Sequence, residues 1–413
     1  MRRLLSFAIL ATSILCCRAM LSAQDWGSVA VLSEPGFPAS DTAAASSQQL
    51  EKLFPGAKFS TADRLRDAIN PASTRLLVLP YGSAFPEDEW NAIKSFLDRG
   101  GNLLVLGGMP FTRAAFRDAG NWHLRDYSVR FIRPLMIDQY QQTPGSDELK
   151  FVANPEIPLQ VPSFQWKKGF SPVIRLSAVD LYHRGGAAGS IDARLDTLAW
   201  GTQQGRKMSA PVIQVDHYQN GFDGGRWIFV NADLTQEFFN NTGLVRSLVD
   251  RALMGAEAFT VRPVLPLYLP GEPVELDIVQ HSRSATKANL SVRVTTFPEA
   301  KPSERSTVTS PLSSNASLVL KPPAEKGLYL IEAELLDGDS VRAIYHSAFW
   351  IRDESFLRSG PRLTVNRDYF ELDGHPIAVV GTTYMSSEVQ RLYFDHPNVY
   401  VWDRDLGQIT MRG

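Results

Sequence analysis

The chain has 413 residues, enough for two or three domains, and its 44% hydrophobic and 21% charged residues are typical of a folded rather than a disordered protein. With 42 basic and 44 acidic residues the formal net charge is -2, which gives no electrostatic reason to expect nucleic acid or an anionic membrane surface as a partner. Both cysteines, Cys16 and Cys17, lie close to the start of the chain.

The first 23 residues have the composition of a secretory signal. Arg2 and Arg3 precede an uncharged apolar run of about 14 residues (4–17), and small residues at Ala19 and Ala23 follow it. Because such a run is too short to span about 30 Å of hydrocarbon, cleavage after Ala23 is favoured over a membrane anchor. We therefore expect export to the periplasm or the extracellular space. The mature chain would have no cysteine for disulfides, thiolate metal ligands or nucleophilic catalysis.

Strands alternate with helices between residues 24 and 258. The clearest helix covers residues 86–101, where Pro86 suits the first turn and Gly100 can end the helix in a left-handed conformation. Strands are predicted at 28–32, 57–60, 74–81, 102–108 and 225–234, and further helices at 44–54, 60–69 and 243–255. Because strands that alternate with helices usually pair in parallel, we predict an α/β doubly wound sheet for residues 24–258.

The strand predicted at residues 102–108 ends in Gly107 and Gly108 and is followed by Met109. A strand that ends in a tight glycine turn is typical of the elbow that carries the nucleophile in several hydrolases. Methionine is not a nucleophile, so we interpret this elbow as a structural turn.

A second polar group lies in QVDHYQNGFDGGRW (214–227), which contains Asp216, His217 and Asp223. Asp–His pairs occur in metal sites and in acid–base sites. The stretch has no second histidine at ligand spacing, and its Asn-Gly and Asp-Gly pairs are typical of turns. We therefore interpret it as a solvated hairpin, and we predict no catalytic residue, metal site or cofactor in this chain.

The pattern changes to a period of two over residues 259–352. Alternating apolar and polar residues predict strands at 270–280, 288–297, 316–321 and 327–351. Asp337-Gly338 predicts a tight hairpin turn within the last of these ranges. Several alternating strands without a helical pattern predict an immunoglobulin-like β-sandwich.

Residues 353–413 consist of a linker followed by one strand–helix pattern. Asp373-Gly374 predicts a tight turn, and the next residues, PIAVVGT (376–382), are apolar on both faces, as the strands of a barrel are. Residues 401–412 have the apolar spacing of a helix. We predict the first strand–helix unit of a TIM barrel here; a sandwich strand is the alternative.

Three residues at the end of this predicted strand are candidates for binding substrate. In barrel enzymes the residues at the carboxyl ends of the strands face the active site. Thr382, Thr383 and Tyr384 hold that position here. A barrel needs roughly 250 residues, and only 29 follow Tyr384, so we expect an incomplete barrel.

The order of these parts resembles a known family. The hairpin LDGHP (372–376), the run VVGTTYM (379–385) and the stretch HPNVYVWDRDLGQI (396–409) together resemble the start of the catalytic barrel in secreted bacterial glycoside hydrolases of the β-galactosidase type. A β-sandwich before the barrel is common among them. Residues 24–258 resemble the glutamine-amidotransferase-like domain that accompanies some of these enzymes, and Met109 indicates a non-catalytic copy.

The resemblance implies a full-length form that hydrolyses O-glycosyl bonds of carbohydrates with two carboxylates on later barrel strands. Those strands are absent from this sequence, so we expect an exported N-terminal fragment that does not hydrolyse glycosides by itself. It also implies carbohydrate as the partner of the full-length form, self-association through the first domain, and no membrane contact beyond export. The alternative is a non-catalytic exported module that binds carbohydrate or drives oligomerisation.

Overall fold

The computed structural model describes residues 25–143, 149–157, 161–177, 191–282, 290–312, 316–323, 325–389 and 391–410. The predicted signal at residues 1–23 lies outside the described residues. Within the described ranges, strands predominate over helices and fall into several sheets, in agreement with a multidomain, β-rich fold. The domain boundaries at residues 258 and 352 stay predictions.

The N-terminal region contains both strands and helices. Its strands are β1 (Val29–Leu32), β2 (Lys58–Ser60), β3 (Leu76–Leu79), β4 (Ala84–Pro86), β5 (Asn102–Leu106), β6 (Arg113–Asp118), β7 (Asn121–Leu124), β8 (Ile137–Thr143), β9 (Lys150–Ala153), β10 (Trp166–Ile174), β11 (Ala193–Gln203), β12 (Arg206–His217), β13 (Arg226–Val230) and β14 (Ala232–Leu234). Its helices are α1 (Ser47–Leu53), α2 (Leu65–Ala68), α3 (Trp90–Asp98) and α4 (Thr242–Leu253).

An eight-stranded sheet lies at the centre of this region, in the spatial order β2-β1-β3-β5-β13-β12-β11-β9. The first five of these strands pair in parallel and the last three pair antiparallel. Side chains of β1 alternate between two cores: Val29 packs on the face covered by α1 and α4, and Ala30 on the face covered by α2 and α3. The alternating strand–helix pattern predicted helices on both faces of a parallel sheet, but the sheet is mixed, because β12, β11 and β9 pair antiparallel.

The next part of the chain is a β-sandwich. Its strands are β15 (Glu257–Pro263), β16 (Leu267–Tyr268), β17 (Val274–Ser282), β18 (Leu290–Pro298), β19 (Ser306–Pro311), β20 (Ala316–Leu320), β21 (Gly327–Asp337) and β22 (Ser340–Ile351). A three-stranded sheet, β15-β17-β20, and a five-stranded sheet, β16-β22-β21-β18-β19, share one core. A tight hairpin turn is confirmed here, one residue later than predicted: Asp337 still belongs to β21 and pairs with Ser340, so Gly338, with a φ of 58°, and Asp339 form the turn.

The C-terminal segment contains a small sheet and a helix. Its elements are α5 (Glu354–Leu357), β23 (Leu363–Val365), β24 (Phe370–Leu372), β25 (His375–Ile377) and α6 (Val399–Thr410). Asp373 and Gly374, with φ of 50° and 80°, form the predicted turn between β24 and β25. Helix α6 packs Val399 against Leu328 and Ala348 on the outer face of the sandwich.

The barrel strand predicted at residues 376–382 does not form as predicted. Strand β25 ends at Ile377, and residues 378–385 belong to no helix or strand. Val379 and Val380 are 65% and 93% exposed. A strand needs neighbours that take up its backbone hydrogen bonds and cover its side chains, and the described part of the chain places none beside this run.

Candidate functional site

The three predicted substrate-binding residues lie in or near the exposed run after β25. Thr382 and Thr383 are exposed, and Tyr384 is half-buried, with its hydroxyl donating to Asp405 Oδ2 at 3.0 Å. Burial and the neighbouring carboxylate raise the pKa of Tyr384 to about 12, so this hydroxyl keeps its proton at neutral pH. A substrate-binding role for these residues stays a prediction.

Asp405 of α6 ties the end of this run to the helix. Besides the Tyr384 hydroxyl, its carboxylate accepts from the backbone N–H of Ser387 at 2.9 Å and from Ser387 Oγ at 2.8 Å. Arg404 Nη2 donates to the same Oγ at 2.8 Å. These bonds hold the chain around residue 387 against α6 and thereby place the next residue, Glu388.

A buried polar cluster, here called the Glu388 cluster, joins the C-terminal segment to the sandwich. Glu388 Oε1 accepts from the Tyr345 hydroxyl at 2.5 Å and from Arg262 Nη2 at 2.9 Å. Glu388 Oε2 accepts from Asn398 Nδ2 at 3.0 Å, and Arg262 Nε donates to the Tyr345 hydroxyl at 2.7 Å. Strands β15 and β22 and the residue before α6 therefore converge on one carboxylate.

Charge pairing decides the protonation state of this cluster. Burial alone would raise the pKa of Glu388, but Arg262, the Tyr345 hydroxyl and Arg194 together hold the pKa below its usual value of 4.5. Burial and the Glu388 carboxylate raise the pKa of Tyr345, so its hydroxyl remains a donor. Glu388 is an ionised, hydrogen-bonded anchor, which makes it unsuited to work as a general acid.

Glu388→Gln is expected to loosen the C-terminal segment. The amide removes the negative charge while the guanidinium of Arg262 stays mostly buried, at a cost of about 2 kcal/mol in local stability. Trypsin should then cut the segment about 30-fold faster than in the unmodified chain, because cleavage follows the population of the open form.

Glu354→Gln is the matched control for this experiment, because it breaks the more exposed pair of Glu354 with Arg352, in which the two atoms are 2.6 Å apart. Exposed pairs contribute little to stability, so the rate of cleavage should change less than about 2-fold. Equal rates for Glu388→Gln and the unmodified chain would show that the Glu388 cluster is not the anchor.

A cleft of about 350 Å³, here called the Trp200 cleft, lies beside the Glu388 cluster where β11, β22 and α6 meet. Its lining includes Glu156, Trp200, Lys207, His346, Tyr400 and Arg404. The Tyr400 hydroxyl donates to Glu156 Oε1 at 2.8 Å, and the Tyr400 ring stacks on His346 with their centroids 5.3 Å apart. One wall of the cleft is therefore a fixed aromatic pair, contributed by the sandwich and by α6.

The hairpin predicted at residues 214–227 exists, but two of its polar residues are buried rather than solvated. Asp216 of β12 lies opposite Arg226 of β13 and accepts from Arg226 Nε and Nη2, each at 2.7 Å. His217 packs on Trp227 with ring centroids 4.1 Å apart. The turn residues correctly marked the loop, but the paired strands carry positions 216 and 217 into the core. These contacts join β12 and β13 in the core.

The elbow after β5 forms a close turn, and its interpretation as a purely structural turn stays a prediction. Met109 N–H donates to Ser83 Oγ at 2.8 Å, and Ser83 Oγ donates to Asp41 Oδ2 at 2.6 Å. Gly108 has a φ of 65°, and a Cβ there would lie 2.4 Å from the backbone nitrogen of Ser83. Only glycine fits this close approach, which fixes the turn.

Sequence reasoning missed the Glu388 cluster, because its members are far apart in the chain. Arg262 lies in β15, outside every predicted strand, and the alternation around Tyr345 predicted only an outward or inward face. Asn398 precedes a predicted helix, where a capping role is the ordinary interpretation. The only local clue was Glu388 itself, an acidic residue soon after an apolar run. Its neighbours in the sequence do not distinguish it from a glutamate in solvent.

In the part of the chain that the structure describes, no group of three or more His, Cys, Asp or Glu side chains is placed to hold a metal ion. No helix within the same described ranges is both long and apolar enough to cross a membrane.

No protein-family model matches the chain, and no curated protein matches it. Among solved structures, a β-galactosidase from Rahnella sp. R3 is 11% identical with a TM-score of 0.30, over 71% of this chain and 41% of that chain. A catalytic mutant of a GH42 β-galactosidase from G. stearothermophilus is 12% identical with a TM-score of 0.29, over 72% of this chain and 40% of that chain. A β-glucuronidase from Parabacteroides merdae is 15% identical with a TM-score of 0.19, over 34% of this chain and 19% of that chain.

The chain spans about two fifths of the length of these two β-galactosidases. TM-scores below 0.5 and identities of 15% or less do not define the fold of this chain, and no activity follows from them.

Proposed function

We propose that the chain is the N-terminal, non-catalytic part of an exported glycoside hydrolase of the β-galactosidase type, whose full-length form hydrolyses O-glycosyl bonds of carbohydrates. Its C-terminal segment would hold the first strand–helix unit of a catalytic (β/α)8 barrel against the sandwich. One observation carries the proposal: the segment before α6 is anchored through the largely buried Arg262–Glu388 ion pair, whereas the apolar run at residues 378–382 is exposed.

The exposed run is the part that needs a partner. Exposed apolar surface is unfavourable in water by about 25 cal/mol for each Å². Val379 and Val380 have their side chains largely in solvent, although helix α6 of the same segment is docked on the sandwich. Further barrel strands would take up the backbone hydrogen bonds of this run and cover its side chains. The resemblance of residues 379–385 and 396–409 to the start of a barrel supports the same completion.

Glu388 and Asp405 are poor candidates for the two carboxylates that glycoside hydrolysis needs. Glu388 is bound by Arg262 and Tyr345, and Asp405 accepts hydrogen bonds from Tyr384 and Ser387. In the proposal both catalytic carboxylates lie on barrel strands outside these 413 residues.

The chain purified without its signal is expected to release no nitrophenol from nitrophenyl β-galactoside above the blank rate, because it holds neither catalytic carboxylate. The gene is then read past codon 413 and the longer product expressed. The longer product should hydrolyse the substrate. Deuterium exchange at residues 378–383 should slow at least about 10-fold, because new strands take up these amides.

Three results would overturn the proposal. They are turnover by the 413-residue chain itself, a longer product without glycosidase activity, and unchanged deuterium exchange at residues 378–383 in the longer product.

A further inference from the structure

The Trp200 cleft has the size and position of a small-molecule site. Its volume of about 350 Å³ falls in the range of ligand pockets, roughly 300 to 1,000 Å³. Trp200 comes from β11, Lys207 from β12 and Tyr400 from α6, so separate parts of the fold form its walls. Clefts between separate parts of a fold are a preferred location for small-molecule sites.

Three carboxylates of the cleft are paired with cations of its own lining. Arg194 Nε donates to Asp196 Oδ1 at 3.0 Å. Arg404 lies 4.0 Å from Glu156 and 3.5 Å from Asp405. Because each of these carboxylates faces a cation, the lining has little net charge with which to attract an ion. The pairing therefore favours a neutral ligand.

The same carboxylates retain capacity to accept hydrogen bonds. An ionised carboxylate has about four lone-pair directions. Within the described part of the chain, Glu156 accepts from the Tyr400 hydroxyl and Asp196 from Arg194 Nε. Hydroxyl groups are the neutral donors that match the remaining directions, so the lining suits a ligand that is rich in hydroxyls.

Trp200 supplies an apolar surface in this polar cleft. The indole is half-buried, and Lys207 Nζ lies 4.1 Å from its ring centroid. Lys207 is exposed, so its flexible side chain can move off the ring without breaking a buried contact. A pyranose ring presents C–H groups on its face and hydroxyls at its rim, and therefore packs on an indole while its rim makes hydrogen bonds.

We propose that the Trp200 cleft binds a neutral saccharide of one or two pyranose units, stacked on Trp200 and held through its hydroxyls by Glu156 and Asp196. The inference does not rest on the proposed function, because the cleft uses none of the exposed run after β25.

Isothermal titration calorimetry of the purified chain with lactose and with cellobiose tests this inference. At least one of the two is expected to bind saturably. Trp200→Ala should weaken that binding at least about 10-fold, and Trp200→Phe, which keeps a ring in place, should weaken it less. Glu156→Gln should weaken it about 5-fold, because an amide offers fewer acceptor directions than a carboxylate.

Trp122→Ala is the matched control. This partly buried indole on β7 also has a cation over its ring, with Arg117 at 4.6 Å, but it lies outside the cleft. The Trp122 variant should bind the saccharide with an affinity within about 2-fold of that of the unmodified chain. Lys207→Met and galacturonate test the charge of the ligand: the neutral saccharide should bind Lys207→Met within about 3-fold, and galacturonate should bind no more tightly than the neutral sugars.

Three results would overturn the inference. They are no saturable binding of lactose or cellobiose, binding that neither Trp200 substitution changes, and binding of galacturonate without binding of the neutral sugars. Failure of the proposed function is a separate result: a longer product without glycosidase activity, alongside a chain that binds a neutral disaccharide through Trp200, leaves this inference standing.

Discussion

Asp216→Asn is expected to lower the free energy of unfolding by about 3–5 kcal/mol, the cost of leaving one partner of a buried ion pair alone. The side chains of Asp216 and Arg226 are each 2% exposed and are joined by two hydrogen bonds of 2.7 Å. The amide keeps the shape of the side chain and removes its charge, so the guanidinium of Arg226 stays in the core without its counter-ion. Urea unfolding, monitored by tryptophan fluorescence, measures this loss of free energy of unfolding.

Two further variants separate charge pairing from packing. Asp98→Asn breaks the more exposed pair of Asp98 with Lys94, 2.6 Å apart, and should cost less than about 0.5 kcal/mol. The double variant Asp216→Leu with Arg226→Met replaces both charges by apolar groups and should recover most of the stability lost in Asp216→Asn. A cost for Asp216→Asn as small as that for Asp98→Asn would contradict the prediction.

Lowering the pH is expected to destabilise the protein through His217. Burial lowers the pKa of His217 to about 3 from the usual 6.5, while the carboxylates of Asp216 and Asp192 act in the opposite direction. Between these two values the unfolded chain takes up a proton that the folded chain does not, so stability falls as the pH falls, by up to about 1.4 kcal/mol for each pH unit. Above pH 6.5 this contribution is flat, because the site is neutral in both states.

His217→Phe removes this titration and keeps the packing. The His217 ring is 1% exposed, lies against Trp227 and Phe222, and makes no hydrogen bond to the described residues through either nitrogen. The difference in unfolding free energy at about pH 7 reports packing alone. As the pH falls to about 5, the free energy of unfolding of the variant should rise by about 2 kcal/mol relative to that of the unmodified chain. A difference that does not change with pH would refute the prediction.

Local patterns predicted much of the N-terminal region, with errors at the ends of elements. The helix predicted from Pro86 begins at Trp90 in the structure, because Pro86 ends β4. Glu87, which the sequence placed in the first helical turn, instead accepts from Arg125 Nε at 2.5 Å. A proline followed by acidic residues suits both a helix start and a strand end, and the pairing of β4 with β6 decided between them.

The turn predictions succeeded for a local reason. Tight turns form at both predicted places because Gly338, Asp373 and Gly374 accept the positive φ that such turns need. The apolar run at residues 376–382 carried no such local information. Its composition predicted a buried strand, yet burial requires neighbours, and the described chain pairs only residues 376 and 377 with β24 and leaves residues 378–382 unpaired.

By itself, the sequence determined most of the sheet-forming segments, the places of the turns and the methionine at the elbow after β5. These follow from side chains and backbone preferences within a few residues. Only the tertiary structure decided which charges are buried and paired. Asp216 meets Arg226 because β12 and β13 pair in one register, and Glu388 meets Arg262 because the C-terminal segment docks on the sandwich. Such pairing depends on distances between residues remote in the chain, which no local pattern encodes.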